Sequence, residues 1–321
     1  MVLQVAAGAI FNRQGQVLLS KRPLYVHQGN LWEFPGGKLK PGEEVRQALS
    51  RELWEELGIQ VLQARPLLQV HHDYPDRSVL LHVWRVDRFS GTPKGQEGQP
   101  VVWVSPENLN AYPLPAANHA VVTAVCLPPT YLITKEPAGN QMAFLSSLRQ
   151  SLQAGVQLVQ LRAKKLSPEH YQNLTWKVQR LCFEYKAILL VNTVPAQAAE
   201  WGADGVHLTG NHLMHLSHRP LPANKWVAAS CHNAAQLAHA ANIGVDFAVL
   251  GPVFHTSTHP QALPLGWERF QTLIAQIPFP VYALGGVGPE HLKEAWSRGA
   301  QGIAAIRALW GDRAGSFGVS P

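Results

Sequence analysis

The stretch from Gly37 to Ile59, GKLKPGEEVRQALSRELWEELGI, decides how the first half of this chain folds. Val45, Leu49, Leu53 and Leu57 recur every four residues with Ala48 beside them, the spacing of a helix with one buried stripe. Pro41 and Gly42 turn the chain into that helix, and Gly58 is its stop. Glu52, Glu55 and Glu56 then stand at i, i+3 and i+4, so three like charges share one helical turn. Such neighbours repel by roughly 0.2 to 0.5 kcal/mol per pair on an isolated helix. A hard divalent cation removes that repulsion, and Mg²⁺ takes oxygen ligands while keeping waters for a phosphate substrate. A bare ELWEE would be read as a solvated acidic face. Gly36, Gly37, Arg51 and the spacing of Glu43 favour the metal-binding alternative.

Around that helix the pattern is one of short strands. Val2 to Phe11, a turn through Asn12 to Gly15, and Gln16 to Ser20 read as strand, turn, strand, with Lys21 and Arg22 at the exit. Leu31 to Gly37 leads into the helix, and its paired glycines let the backbone approach a ligand or a metal closely. Leu67 to His72 and Ser78 to Val86 are further strands, split by a turn at Asp73 to Arg77. Gly91 to Pro100 carries a single acid, Glu97; Val101 to Val104 is a strand, and a Pro-rich approach ends at Asn118 before an apolar helix, His119 to Cys126. Mixed strands around a few helices make an α+β domain.

Leu127-Pro128-Pro129-Thr130 is a stiff break, after which the pattern changes. Eight short apolar runs alternate with helix-like stretches: Tyr131 to Thr134, Leu158 to Leu161, Ile188 to Val191, Gly205 to Leu208, Trp226 to Ala229, Phe247 to Leu250, Val281 to Leu284 and Ile303 to Ile306. They supply the strands of an α/β (β/α)₈ TIM barrel, nearly all apolar as parallel strands covered on both faces should be. The expected organisation is residues 1–128, residues 129–312 and a tail at 313–321.

With 321 residues, 46% of them hydrophobic, the chain has material for two cores. The net charge of +6 suits phosphorylated small molecules, and no dense or aromatic-interleaved Lys/Arg stripe points to direct nucleic-acid binding. Cys126, Cys182 and Cys231 are far apart and form no CxxC, which argues for a reducing compartment and against zinc. The N-terminus lacks a basic leader and no apolar run reaches spanning length, so a cytoplasmic protein without membrane association is expected.

Gly37, Glu43, Arg51, Glu52, Leu53, Glu55, Glu56, Gly58 and Ile59 match the Nudix box position for position, and the N-terminal half resembles a Nudix fold. The segments LWEFPGGK, YPDR, GQEGQP and PAAN narrow the resemblance to the MutT-type Nudix hydrolases, which remove oxidised guanine nucleotides, over about the first 127 residues. That resemblance implies a metal set of the Gly36 carbonyl, Glu52, Glu55, Glu56 and Glu97, taking Mg²⁺ with Mn²⁺ as the alternative. It implies a general base that is either Glu52 or Glu97, with Arg51 in the catalytic set as the group that orients a glutamate through Glu43. It also implies that Asn118 reads a guanine edge and that Arg22, Phe34, Asp76 and Arg77 contact the nucleotide. An amide can both donate to and accept from a purine, yet a lone Asn before a helix is equally a cap. His27 matches as well, and His71, His72 and His82 are read as structural.

In the second half, QLRAK, LLVN, GADGVHL, SCH, GPVFHTST, ALGGV and GAQGIAAI resemble the thiamine phosphate synthase and TenI-like family over roughly residues 130 to 310. Gln160, Arg162, Lys164 and Asn192 match positions for a pyrimidine diphosphate, and Ser230, Thr256, Thr258, Gly285 and Gly286 match positions near a thiazole phosphate. The departures are specific: Thr193 and Asn211-His212 stand where the synthase pattern expects Mg²⁺-binding acids, His259 replaces a lysine, and Pro252 occupies the place of the tautomerase histidine. Losing those acids removes the main stabiliser of a diphosphate leaving group. Three functions stay open for the barrel: a synthase, a binding site for a thiamine-related phosphate, or an assembly module.

Overall fold

The computed structural model describes residues 2–137, 139–256 and 261–313. It divides into two compact units that meet in sequence between Cys126 and Leu127. Leu127 packs among the interior side chains of the second unit, where its carbonyl accepts from Gln301 Nε2 at 2.8 Å, so the change of fold falls two residues before Pro128.

The first unit runs β1 (Leu3–Ile10), β2 (Val17–Lys21), β3 (Trp32–Glu33), β4 (Gly36–Lys38), α1 (Val45–Leu57), β5 (Gln60–Asp73), β6 (Ser78–Ser90), β7 (Val101–Val104) and α2 (His119–Cys126). Its larger sheet has the order β4-β1-β6-β5, with β1 parallel to β6 and antiparallel to β4, and a smaller sheet has the order β3-β2-β7. Alternation along β1 sends Ala6 and Ile10 to one core and Ala7 and Ala9 to another. The first core is completed by Ala48, Leu49, Leu53 and Leu57 of α1, the second by Val121, Val122, Ala124 and Val125 of α2. The buried stripe expected of the helix is therefore what seats it on the sheet, with Val45 only partly buried at its start. Gly58 closes α1 in the left-handed conformation at φ 68°, its N–H reaching the Trp54 carbonyl at 3.0 Å.

β5 begins at Gln60 and not at Leu67, seven residues earlier than its alternation suggests. Register shifts between Val61 and Gln63, Gln63 and Ala64, and Pro66 and Leu68 break the two-residue period there, and Pro66 sits where the ladder is already interrupted.

The second unit is a closed barrel of eight parallel strands: β8 (Thr130–Ile133), β9 (Leu158–Leu161), β10 (Ile188–Val191), β11 (Gly205–Leu208), β12 (Trp226–Cys231), β13 (Phe247–Leu250), β14 (Val281–Leu284) and β15 (Gly302–Ala305). The helices between them are α3 (Gln141–Gln153), α4 (Pro168–Glu184), α5 (Pro195–Glu200), α6 (Gly210–His215), α7 (Ala234–Ile243), α8 (Gly266–Ile274) and α9 (Leu292–Ser297). Tyr131, Leu158, Leu190, Ala228, Phe247, Tyr282 and Ala304 fill the interior, while their strand neighbours face the helices. Tyr131, Phe247 and Tyr282 pack ring against ring at 5.5 to 5.7 Å.

One interior residue is a histidine. His207 on β11 is 1% exposed, and burial pushes its pKa from 6.5 down to about 3. As pH falls below about 6.5 the unfolded chain takes a proton that the folded barrel refuses. The stability present above pH 6.5 is then lost as pH falls toward 3, with a slope of about 1.4 kcal/mol per pH unit. Urea midpoints measured from pH 7.5 to 4 should fall more steeply for the native chain than for His207→Asn; equal slopes would contradict this assignment.

Candidate active site

α1 presents its glutamates to β4, and the paired glycines make room for them. A Cβ at Gly37 would overlap the Glu52 carboxylate, and one at Gly36 would overlap the Ala6 carbonyl on the adjacent strand. Gly36 also has φ 149°, in the region that favours glycine. Its N–H donates to Glu56 Oε2 at 3.1 Å. The glycine pair thus lets the helix carboxylates lie directly against backbone.

Arg51 is the hub of the cluster. Its Nε and Nη2 donate to the two oxygens of Glu43, each at 2.8 Å, and Nη1 donates to Glu52 at 2.7 Å and Glu55 at 3.0 Å. Nη2 also reaches the Lys38 carbonyl at 3.1 Å. This two-pronged bond from Arg51, helped by the Lys40 N–H, holds the Glu43 carboxyl down to about 2, and the same contacts raise the already high pKa of Arg51. One guanidinium accordingly fixes three carboxylates and ties α1 to β4.

Glu56 lies deeper. Burial first, then the negative charges of Glu33, Glu52 and Glu97, push its carboxyl up to about 8, against the opposing bond from Gly36 N–H. Glu97 reaches this group because its loop is sewn to the end of α1. Gln96 N–H and Gln99 Nε2 both donate to the Glu56 carbonyl, at 2.9 and 3.1 Å, and Lys94 N–H donates to the Leu57 carbonyl at 3.1 Å. Sequence reasoning found Glu97 but missed these two glutamines; their only signal was a position flanking the lone acid of a Gly-rich loop. It also missed Glu33, which pairs with Arg22 and adds a third carboxylate to the field at Glu56.

Among the described residues no three acidic, histidine or cysteine side chains already converge as a closed metal cage. The donor set nevertheless fits a hard divalent ion. Every group is an oxygen, and a buried carboxyl raised by three neighbouring negative charges is the crowding that such an ion relieves.

A second chain of contacts leads from this cluster. Arg22 pairs with Glu33, and its Nε donates to the His27 carbonyl at 3.0 Å. His27 Nδ1 lies 3.3 Å from Asp76, which pairs with Arg77 at 2.7 Å, and the His27 ring stands edge-on to Tyr74 at 5.0 Å. His27 Nε2 is buried without a hydrogen-bond partner. Arg22, Asp76 and Arg77 are therefore brought together through His27. Phe34 is buried in the core shared with α2, and Asn118 is 7% exposed at the junction of a 3₁₀ turn, Ala116–Asn118, with α2. His82 is held by Gln69 and Gln4.

In the barrel, Gln160, Arg162, Lys164 and Asn192, from the ends of β9 and β10, line one cavity of about 420 Å³ with Ser230, Thr256, Gly285 and Gly286. Thr258 and His259 lie outside the described residues. Gly285 and Gly286 have φ 96° and 69°, and a Cβ on either would press into the Pro252 to His255 segment at 2.6 to 3.1 Å. Glu136 accepts from the Lys164 and Lys165 N–H groups at 3.2 and 2.8 Å and lies 3.7 Å from Arg162. Asn192 Nδ2 is taken by the His207 carbonyl at 2.8 Å. The barrel does not fit the magnesium that its resemblance implies. Thr193 donates to Gln197, His212 supplies an imidazole, and Glu290 is the one acid among the described cavity-lining residues.

Residues 6–124 match the model of the NUDIX domain, and residues 130–309 match that of thiamine monophosphate synthase. The first region is 41% identical over 120 residues to the 8-oxo-dGTP diphosphatase of Escherichia coli (strain K12), spanning 37% of this chain and 93% of that protein. It is 42% identical over 123 residues to the CTP pyrophosphohydrolase of the same organism, spanning 38% and 90%. The second region is 31% identical over 183 residues to the thiamine-phosphate synthase of Alcanivorax borkumensis, spanning 56% and 84%. The carboxylate-bearing half is a hydrolase acting on phosphoric anhydrides. The chain belongs to the Nudix family through its N-terminal unit and to the thiamine monophosphate synthase family through its barrel.

Proposed function

We propose that the N-terminal unit is a Mg²⁺-dependent nucleoside triphosphate pyrophosphohydrolase for oxidised guanine nucleotides, with Mn²⁺ able to replace Mg²⁺. It converts 8-oxo-dGTP to 8-oxo-dGMP and pyrophosphate and so limits replication errors in the cytoplasm. The observation that carries the metal chemistry is the crowd of carboxylates around buried Glu56. The Gly36 carbonyl, Glu52, Glu55, Glu56 and Glu97 would hold the ion. When bound, a divalent ion polarises the attacking water and neutralises charge building on the phosphate oxygens.

The chain's own residues do the rest. Glu52 accepts the proton of the attacking water: of the two candidate bases it is the better oriented, clamped by Arg51 and packed on Gly37, whereas Glu97 sits on an exposed loop. Arg51 is a positioning residue whose fork sets the angle of Glu52 relative to Glu43. Arg22, Asp76, Arg77 and the unpartnered His27 Nε2 meet the nucleotide, Phe34 backs its pocket, and the Asn118 amide reads the purine carbonyl and ring N–H. The nearly equal identities to an 8-oxo-dGTP diphosphatase and a CTP pyrophosphohydrolase make Asn118 the residue on which the base assignment turns.

Replacing Arg51 by Lys keeps the charge but loses the fork. The expected result is a fall in kcat of about 10- to 100-fold with KM changed less than about threefold, because orientation in the transition state is lost and ground-state binding is not. A rise in KM alone would assign Arg51 to substrate binding.

The barrel is a binding module for a small phosphorylated ligand of the thiamine-related class, without synthase activity. Full-length protein should fail to restore growth of a strain lacking thiamine phosphate synthase, since Thr193 and His212 give no hard anionic ligands. Restored growth would overturn that assignment.

A further inference from the structure

A buried hydrogen-bonded chain crosses the barrel interior and returns to the same cavity at both ends. Gln160 and Ser230 line that cavity; between them lie Tyr131 and His207, both almost wholly buried. Gln160 Nε2 donates to the Tyr131 hydroxyl at 3.5 Å, that hydroxyl lies 3.0 Å from His207 Nδ1, and His207 Nε2 lies 2.8 Å from Ser230 Oγ. Burial keeps the imidazole neutral, so it has one N–H and one bare nitrogen, and its two contacts must run in opposite senses.

The sense follows from the Gln160 end. Gln160 donates to the Tyr131 oxygen, and among the described contacts His207 Nδ1 is the one acceptor for the hydroxyl proton, so that proton goes to Nδ1. The proton of His207 is therefore on Nε2 and is donated to Ser230 Oγ. Ser230 then has its hydroxyl hydrogen left to give, and its remaining surroundings are the cavity shared with Arg162, Lys164 and the two glycines. Were the chain reversed, Ser230 would spend its proton on Nε2 and offer the cavity only lone pairs, which suit an N–H ligand and repel an anion.

We propose that His207 is a positioning residue that turns Ser230 into an obligate hydrogen-bond donor to an oxyanion, such as a phosphate group, held in the barrel cavity without a metal ion. Tyr131 sets the tautomer, and Gln160 sets Tyr131. The relay is independent of the nucleotide chemistry assigned to the other unit.

The test uses ¹⁵N-histidine NMR on the full-length chain in EDTA, titrated with inorganic phosphate. The phosphate-bound protein should show the His207 Nε2–H tautomer with Nδ1 unprotonated; an Nδ1–H tautomer, or no phosphate-dependent change in the native chain, overturns the proposal. Binding by the same titration adds a second arm. Ser230→Ala and Tyr131→Phe should each weaken phosphate about fivefold. The double variant should be no weaker than Ser230→Ala, because Tyr131 acts only through Ser230. Tyr131→Phe weakening phosphate by the same factor with and without Ser230 would mark a merely structural effect and sink the relay. The tautomer measurement stands even if a variant fails to fold.

Discussion

Glu52→Gln is expected to lower kcat for nucleotide hydrolysis about 10³-fold or more, the loss typical when a group that handles both a proton and a metal ion is neutralised. The geometry explains why the effect should be so large. Glu52 Oε1 takes the Arg51 Nη1 proton at 2.7 Å, and the carboxylate fills the space that Gly37 leaves for lack of a side chain. Gln fits that space but brings a donor where Arg51 already donates, and it removes the negative charge that the ion requires. The fold should survive, because α1 is anchored by Leu49, Leu53 and Leu57 and not by Glu52. Thermal unfolding within a few degrees of the native chain, together with lost turnover, is the expected pair of results. Glu97→Gln provides the contrast: it should cost less, since Glu97 is exposed and its loop is held by Gln96 and Gln99. A larger loss at Glu97 than at Glu52 would exchange their roles.

The second large effect is one of specificity. Asn118→Ala should lower kcat/KM for 8-oxo-dGTP about 100-fold while leaving slow hydrolysis of CTP within a factor of about three. A pocket built to hydrogen-bond a base penalises the loss of that partner far more than a pocket of shape alone. Asn118 is buried at the start of α2, where its truncation leaves a methyl group and a small void. Equal losses on both nucleotides would mean that Asn118 serves α2 and not the base.

The sequence carried the parts of the molecule that repeat. Leu49, Leu53 and Leu57 recur every helical turn, and the seating of α1 follows from them. The eight barrel runs are nearly all apolar, and all eight became strands. What it hid was whatever breaks a period or depends on distance. The bulges at Val61 to Leu68 scrambled the alternation of β5. Gln96 and Gln99 act through a carbonyl about 40 residues away in the chain, and Glu33 enters the field of Glu56 from β3 of the smaller sheet. No spacing rule could join Gln160, Tyr131, His207 and Ser230, since the four lie on four different strands and meet only when the barrel closes. The departures at Thr193 and His212, by contrast, were legible as single residues, and the structure adds what Thr193 now does, bonding Gln197.

The central claim is that the carboxylate cluster serves a pocket for oxidised guanine nucleotides. Its most direct test is kcat/KM for 8-oxo-dGTP, dGTP and CTP on the full-length protein with Mg²⁺, with every product identified. The account expects 8-oxo-dGTP to be preferred about 100-fold or more over both others, with release of 8-oxo-dGMP and pyrophosphate. Comparable efficiency on all three, a preference for CTP, or release of orthophosphate would contradict it.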